Sequence, residues 1–134
     1  MWYLKNKEFK FLLSLIFSSK RIDKNTLSQL NLKELTKISS EFLIIPLMYS
    51  KIKVNNYTKH IEKAFLKYIK EIYEINLKRN HILINEINEI SDLLNKENIN
   101  HVYIKGASLI ISNTYDVKSE RMIGDIDILT EDDD

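Results

Sequence analysis

The chain has 134 residues, 44% of them hydrophobic, enough for a domain with its own core. Only two glycines, one proline and no cysteine are present. Poverty in turn-forming residues excludes a turn-rich sandwich or barrel, and the missing thiols exclude disulfides, thiolate metal sites and cysteine nucleophiles. The net charge of +1 hides an asymmetry: residues 1–80 carry 16 Lys and Arg against 7 Asp and Glu, residues 81–134 carry 4 against 12. A basic half could attract nucleic acid, but charged faces of amphipathic helices account for it more simply, so a nucleic-acid partner is not indicated. The apolar run Phe9–Phe17 contains Lys10 and is too short to span a bilayer, so a cytoplasmic protein without a membrane partner is expected.

Phe9, Leu12, Leu13, Ile16 and Phe17 recur at helical spacing and predict a first helix over Lys7–Ser18. Asp23 or Asn25 suits the cap of a short helix ending near Leu30, and Asn31 the cap of the next, which carries Leu32, Leu35, Ile38 and Phe42. Pro46 suits the first turn of a fourth helix through Met48 and Ile52. From Thr58 to Asn95 the apolar pattern runs on without Gly or Pro. It predicts one long helix, or two with a kink near Asn76–Asn80. At Asn95 the pattern changes. His101–Ile104 reads as a short strand, Lys105-Gly106-Ala107-Ser108 as a turn into a helix beginning at Leu109, and Ile123–Leu129, alternating strictly, as a second strand. The acidic residues after Leu129 read as a frayed tail, Glu131 to Asp134. The expected fold class is α+β and mostly helical: an N-terminal helical bundle over 1–97 with one long helix, then a strand-helix-strand unit over 98–134, the whole forming one compact unit.

Chemistry concentrates at the C-terminal end. Residues i and i+2 of a strand share a face, so Asp125 and Asp127 would present two carboxylates side by side. Such a pair repels itself unless a cation intervenes, and Mg²⁺ is typically held by one or two carboxylates plus substrate phosphates. The pattern alone is weak, because solvated acids on an edge strand look the same. Lys105-Gly106 between strand and helix adds a point charge and a small residue where backbone N–H groups could meet phosphate, and Ser108 adds a hydroxyl. A plain turn glycine is the simpler alternative, and the stretch is not a Walker loop. Arg121, four residues before Asp125, could reach phosphate or the acids. The histidines His60, His81 and His101 show no metal-ligand spacing.

Taken in order, the helices containing Leu35–Ile52, the long helix, Asn100 to Leu109 with its Lys105-Gly106, then Tyr115, Arg121 and Asp125-Ile126-Asp127 resemble an uncharacterised nucleotidyltransferase-like family of bacteria. That family falls in the polymerase-beta-like nucleotidyltransferase superfamily, and the resemblance covers roughly residues 35–130. It implies a sheet that carries the site and transfer of a nucleoside monophosphate from NTP to an acceptor, with Mg²⁺ or Mn²⁺. By it Asp125 and Asp127 are the catalytic, metal-binding carboxylates, and Lys105, Gly106, Ser108 and Arg121 bind nucleotide. The superfamily's third carboxylate, on a later strand, has no counterpart in the seven residues that follow Asp127. The chain therefore reads as the N-terminal portion of a longer protein, weak or inactive alone. Two other readings stand beside it: a non-catalytic remnant completed by a homodimer mate or protein partner, antitoxin-like or regulatory, and a helical interaction protein without an active site.

Overall fold

The computed structural model describes residues 5–18, 20–112, 114–115 and 117–131. Among the described residues these elements follow one another: α1 (Lys7–Phe17), α2 (Lys24–Ser28), α3 (Leu32–Glu41), α4 (Ile45–Val54), the 3₁₀ turn Thr58–His60, α5 (Lys63–Lys96), β1 (His101–Ile104), α6 (Lys105–Ile111) and β2 (Asp127–Thr130). The chain is thus α+β and mostly helical, as the composition predicts. It divides into two compact units, residues 1–74 and 75–134.

In the first unit Asp23 and Asn31 cap α2 and α3, as the sequence suggests, and Asn6 caps α1 as well. Asn6 Oδ1 accepts from Phe9 N at 2.9 Å, Asp23 Oδ2 from Asn25 N at 3.0 Å, and Asn31 Oδ1 from Glu34 N at 3.2 Å. Each satisfies one of the amide donors that a helix start leaves free. Pro46 lies in the first turn of α4, where its missing N–H costs nothing. The apolar faces then converge: Leu35, Ile38, Met48, Ile52 and Ile69 are fully buried, with Phe11, Leu12, Leu15, Leu27 and Ile45 around them. Tyr57 is buried among these residues, and its hydroxyl accepts from Ile22 N at 2.8 Å.

The long helix starts later than its periodicity predicts. Ile61 takes an extended backbone (φ −121°, ψ 145°) after the 3₁₀ turn, so the helix begins only at Lys63. Ile61 still packs into the core, which explains why its spacing mimics a helical position. From Lys63 the helix is a single element of 34 residues and passes through Asn76–Asn80 without interruption.

In the second unit, the remainder of α5 presents Leu83, Ile84 and Ile87 to a small cluster made with Ala107 and Ile110 of α6, Ile123, Tyr103 and Ile126. Tyr103 OH donates to the Ile87 carbonyl at 2.8 Å and lies 2.8 Å from Ser91 Oγ, tying β1 to α5. β1 and β2 form an antiparallel ribbon in the register His101↔Thr130, Val102↔Leu129, Tyr103↔Ile128, Ile104↔Asp127. Directly opposed residues share a face. Tyr103 and Ile128 therefore belong to the face against α5, and Val102, Leu129, Ile104 and Asp127 to the other. Val102 and Leu129 on that other face are 62% and 57% exposed. Of the expected acidic tail, Asp132 to Asp134 lie outside the described residues.

Candidate functional site

The second strand is shorter than the alternation predicts. It begins at Asp127, not Ile123. The cause is its partner: β1 holds four residues and gives way to α6 after Ile104, so the ladder stops at the Ile104↔Asp127 pair. Residues 123–126 have no strand to pair with. Ile123 is instead drawn into the cluster beneath α6, at 4% exposure. The strand geometry invoked for the aspartate pair thus covers Asp127 alone. Asp125 precedes the strand and is exposed.

The same register places Asp127 across from the end of β1, and so beside the residue that follows it. Lys105 Nζ donates to Asp127 Oδ1 at 2.7 Å, with the two side chains 70% and 29% exposed. Two motifs 22 residues apart in sequence thereby meet. The Lys105 ammonium is held above the ordinary lysine range, first by that hydrogen bond, then by the charge of Asp127, and least by the charge of Asp125. Asp125 therefore lies within electrostatic reach of the same ammonium.

Lys105 opens α6, four residues earlier than the sequence suggests, with a left-handed φ of 51°. That region disfavours a side chain bearing a Cβ and persists only where surrounding structure imposes it. Gly106, which the sequence marks as the conformationally special residue, has no positive φ. Its smallness serves packing: a Cβ there would stand 3.1 Å from Ile123 Cγ2 and 3.4 Å from Cγ1. Ser108 donates its hydroxyl to the Lys105 carbonyl at 2.9 Å, which secures the first turn of α6 and leaves the oxygen's lone pairs as its remaining polar capacity. No side chain caps α6.

Arg121 is half-buried and forms no ion pair with Asp125 or Asp127 among the described residues. Its Nε is buried without a protein partner. What the structure uses is the Arg121 carbonyl, which accepts from Asn76 Nδ2 at 2.9 Å and from Asn80 Nδ2 at 2.8 Å. Asn76 also donates to the Ser119 carbonyl at 2.7 Å and Asn80 to that of Lys118. Arg79 NH2 donates to the Gly124 carbonyl at 3.3 Å. These three α5 residues hold the segment that leads into Asp125, and the sequence reading overlooked them. The signal was there: two asparagines four residues apart share the helix face of Leu83, Ile84 and Ile87, where only a partnered polar side chain can be buried.

The site thus brings together Lys105 and Asp127, with Asp125 exposed two residues before Asp127. Gly106 and Ser108 lie in the first turn of α6, and Arg121 is held through its carbonyl by Asn76 and Asn80. No group of three or more His, Asp or Glu side chains suited to a metal converges among the described residues. The donors available to a cation are two carboxylates, one exposed and one partly so. That set suits a hard ion completed by waters and phosphate oxygens, as Mg²⁺ is commonly bound. No helix among the described residues is long and apolar enough to cross a membrane.

No curated protein and no solved structure matches the chain. A family profile does: residues 28–134, from the end of α2 through β2, match the family described as "Uncharacterised nucleotidyltransferase". The match takes in Lys105, the α6 turn and both aspartates, and the chain belongs to that nucleotidyltransferase family.

Proposed function

We propose that residues 75–134 bind a nucleoside triphosphate with Mg²⁺ or Mn²⁺ and serve transfer of its nucleoside monophosphate to an acceptor, within the polymerase-beta-like superfamily. The observation that carries this reading is the meeting of Lys105 with Asp127 at the β1–α6 junction, 2.7 Å apart. It sets an ammonium against one of the two carboxylates, with Asp125 two residues away along the chain, and a cation bridged to phosphate would draw on those charges. Asp125 and Asp127 would hold the ion, Lys105 beside Asp127 would contact a phosphate oxygen, and the α6 turn of Gly106 and Ser108 would flank the phosphates. Arg121 approaches the phosphates or the acceptor. The bound cation supplies charge neutralisation on the phosphate oxygens. In the transfer itself an acceptor hydroxyl oxygen would bond to the α-phosphorus, its proton passing to solvent water, while the bond from the α-phosphorus to the bridging oxygen breaks and pyrophosphate leaves.

Calorimetric titration of Mg-ATP and Mg-GTP into the chain, beside an Asp125→Asn/Asp127→Asn variant, tests the reading. Binding by the wild type that disappears in the folded variant is expected. A folded wild type that binds neither nucleotide would sink it.

A second reading draws on the free face of the ribbon. Val102 and Leu129 stand opposite one another, both more than half exposed, and a two-stranded ribbon is a marginal sheet by itself. A module completed by a second copy or another protein would cover that pair. A dimer in sedimentation that is broken by Leu129→Lys supports it, and a monomer that binds nucleotide favours the first reading.

A further inference from the structure

We infer that Asn76 and Asn80 of α5 are positioning residues for the acidic segment, setting where Asp125 stands relative to Asp127 when the metal–nucleotide arrives. The inference rests on the nucleotide-binding reading above and extends it to residues on the long helix. Both side chains are buried, at 3% and 0% exposure. Asparagine is a poor helix former, and a buried amide is costly unless bonded. Neither asparagine bonds back to its own helix. Both direct their Nδ2 groups to carbonyls 38–45 residues further along the chain: Lys118, Ser119 and, jointly, Arg121.

The need for such a device follows from the strand boundary. Residues 123–126 take part in no ladder, so β pairing cannot set the position of Asp125. Ile123 anchors the segment by packing, which fixes depth but not direction along the chain. The paired asparagine bonds to the Arg121 carbonyl, with Arg79 on that of Gly124, do specify register. The cluster is also imperfect as a purely structural element. Asn80 Oδ1, Ser119 Oγ and Arg121 Nε are buried there without a protein partner. An apolar face would avoid that cost, so retention of the polar one points to a task beyond holding the fold together.

The test uses the full chain with Mn²⁺ as the probe, its affinity read by water-proton relaxation with and without ATP. Asn76→Ala and Asn80→Ala are compared with Tyr103→Phe, which removes the contacts of the Tyr103 hydroxyl with the Ile87 carbonyl and Ser91 Oγ in the same unit and leaves the asparagine–carbonyl bonds intact. A loss of at least tenfold in Mn²⁺ affinity is expected in each asparagine variant, with the Tyr103→Phe value within twofold of the wild type. Equal affinities in all four proteins would overturn the inference, as would an equal loss in Tyr103→Phe, since that marks general loosening. Should Asn80→Ala not fold, Asn76→Ala carries the comparison, because Asn80 still holds the Arg121 carbonyl in it. Absence of Mn²⁺ binding in the wild type would refute the nucleotide-binding reading itself. The amide resonances of Gly124–Asp127 then decide positioning: displaced in the asparagine variants alone they uphold it, and unmoved they overturn it.

Discussion

Replacing Gly106 by alanine separates two roles for that residue: packing against Ile123 and close approach to a ligand. Its φ is not positive, so alanine meets no backbone penalty there. Within α6, exchange of glycine for alanine is favourable by about 1 kcal/mol. Against this stands the new methyl group, 3.1 Å from Ile123 Cγ2 and 3.4 Å from Cγ1. Ile123 has little room to yield. It is β-branched and stiff at χ1, 4% exposed, and clustered with Ala107 and Ile110 at 0% and 2%. Overpacking of this kind costs about 1–3 kcal/mol, so a net loss of about 1 kcal/mol is expected, roughly fivefold in the opening equilibrium of the second unit. Because the chain has two compact units, a single unfolding transition is not a safe measure. Native-state hydrogen exchange of the β1–β2 amides reads the relevant unit directly. Exchange in Gly106→Ala as slow as in the wild type, or slower, would refute the packing argument. If Mg-ATP affinity fell at the same time, glycine would be serving the phosphates instead.

Two further outcomes follow from named contacts. The Lys105 ammonium, held above the ordinary 10.5 by Asp127, should titrate lower in Asp127→Asn when followed by NMR of its side-chain carbons. A folded-state value raised above the unfolded one means that the stabilisation is present below about pH 10.5 and fades as pH climbs through the raised value; identical titrations in the two proteins would refute the pairing. In the first unit, Asn31→Ala removes the acceptor of Glu34 N, and loss of such a cap costs about 1 kcal/mol. The bond from Asn31 N to the buried Glu8 carboxylate uses the Asn31 backbone and survives, so native-state hydrogen exchange of the α3 amides should show that loss and little more.

What could be read from the sequence was what neighbours in the chain decide. Asp23 and Asn31 cap their helices through amides two or three residues away, and Pro46 sits in a first turn. The 3.6-residue apolar period likewise located α1, α3 and most of α5. Where a distant partner decides, local pattern misled. Alternation over Ile123–Leu129 says that the segment can be a strand, but how much of it becomes one depends on β1, which ends at Ile104. Ile61 satisfies a helical period because it points into the core, while its backbone is extended.

The candidate site divides along the same line. That Lys105, Asp125 and Asp127 belong together was an expectation from motif order, and the antiparallel register supplies the meeting of Lys105 with Asp127 that no spacing rule contains. The left-handed backbone falls on Lys105 and not on the glycine after it. Gly106 is needed small because Ile123, remote in sequence, occupies the space its Cβ would take. Asn76 and Asn80 read locally as a weak point of the helix, since asparagine lowers helix propensity. With carbonyl partners at Lys118, Ser119 and Arg121 they become a lateral hold on the segment before Asp125. A buried polar pair on an otherwise apolar helix face therefore predicts a loop that must be held in register, and here that loop carries the carboxylates.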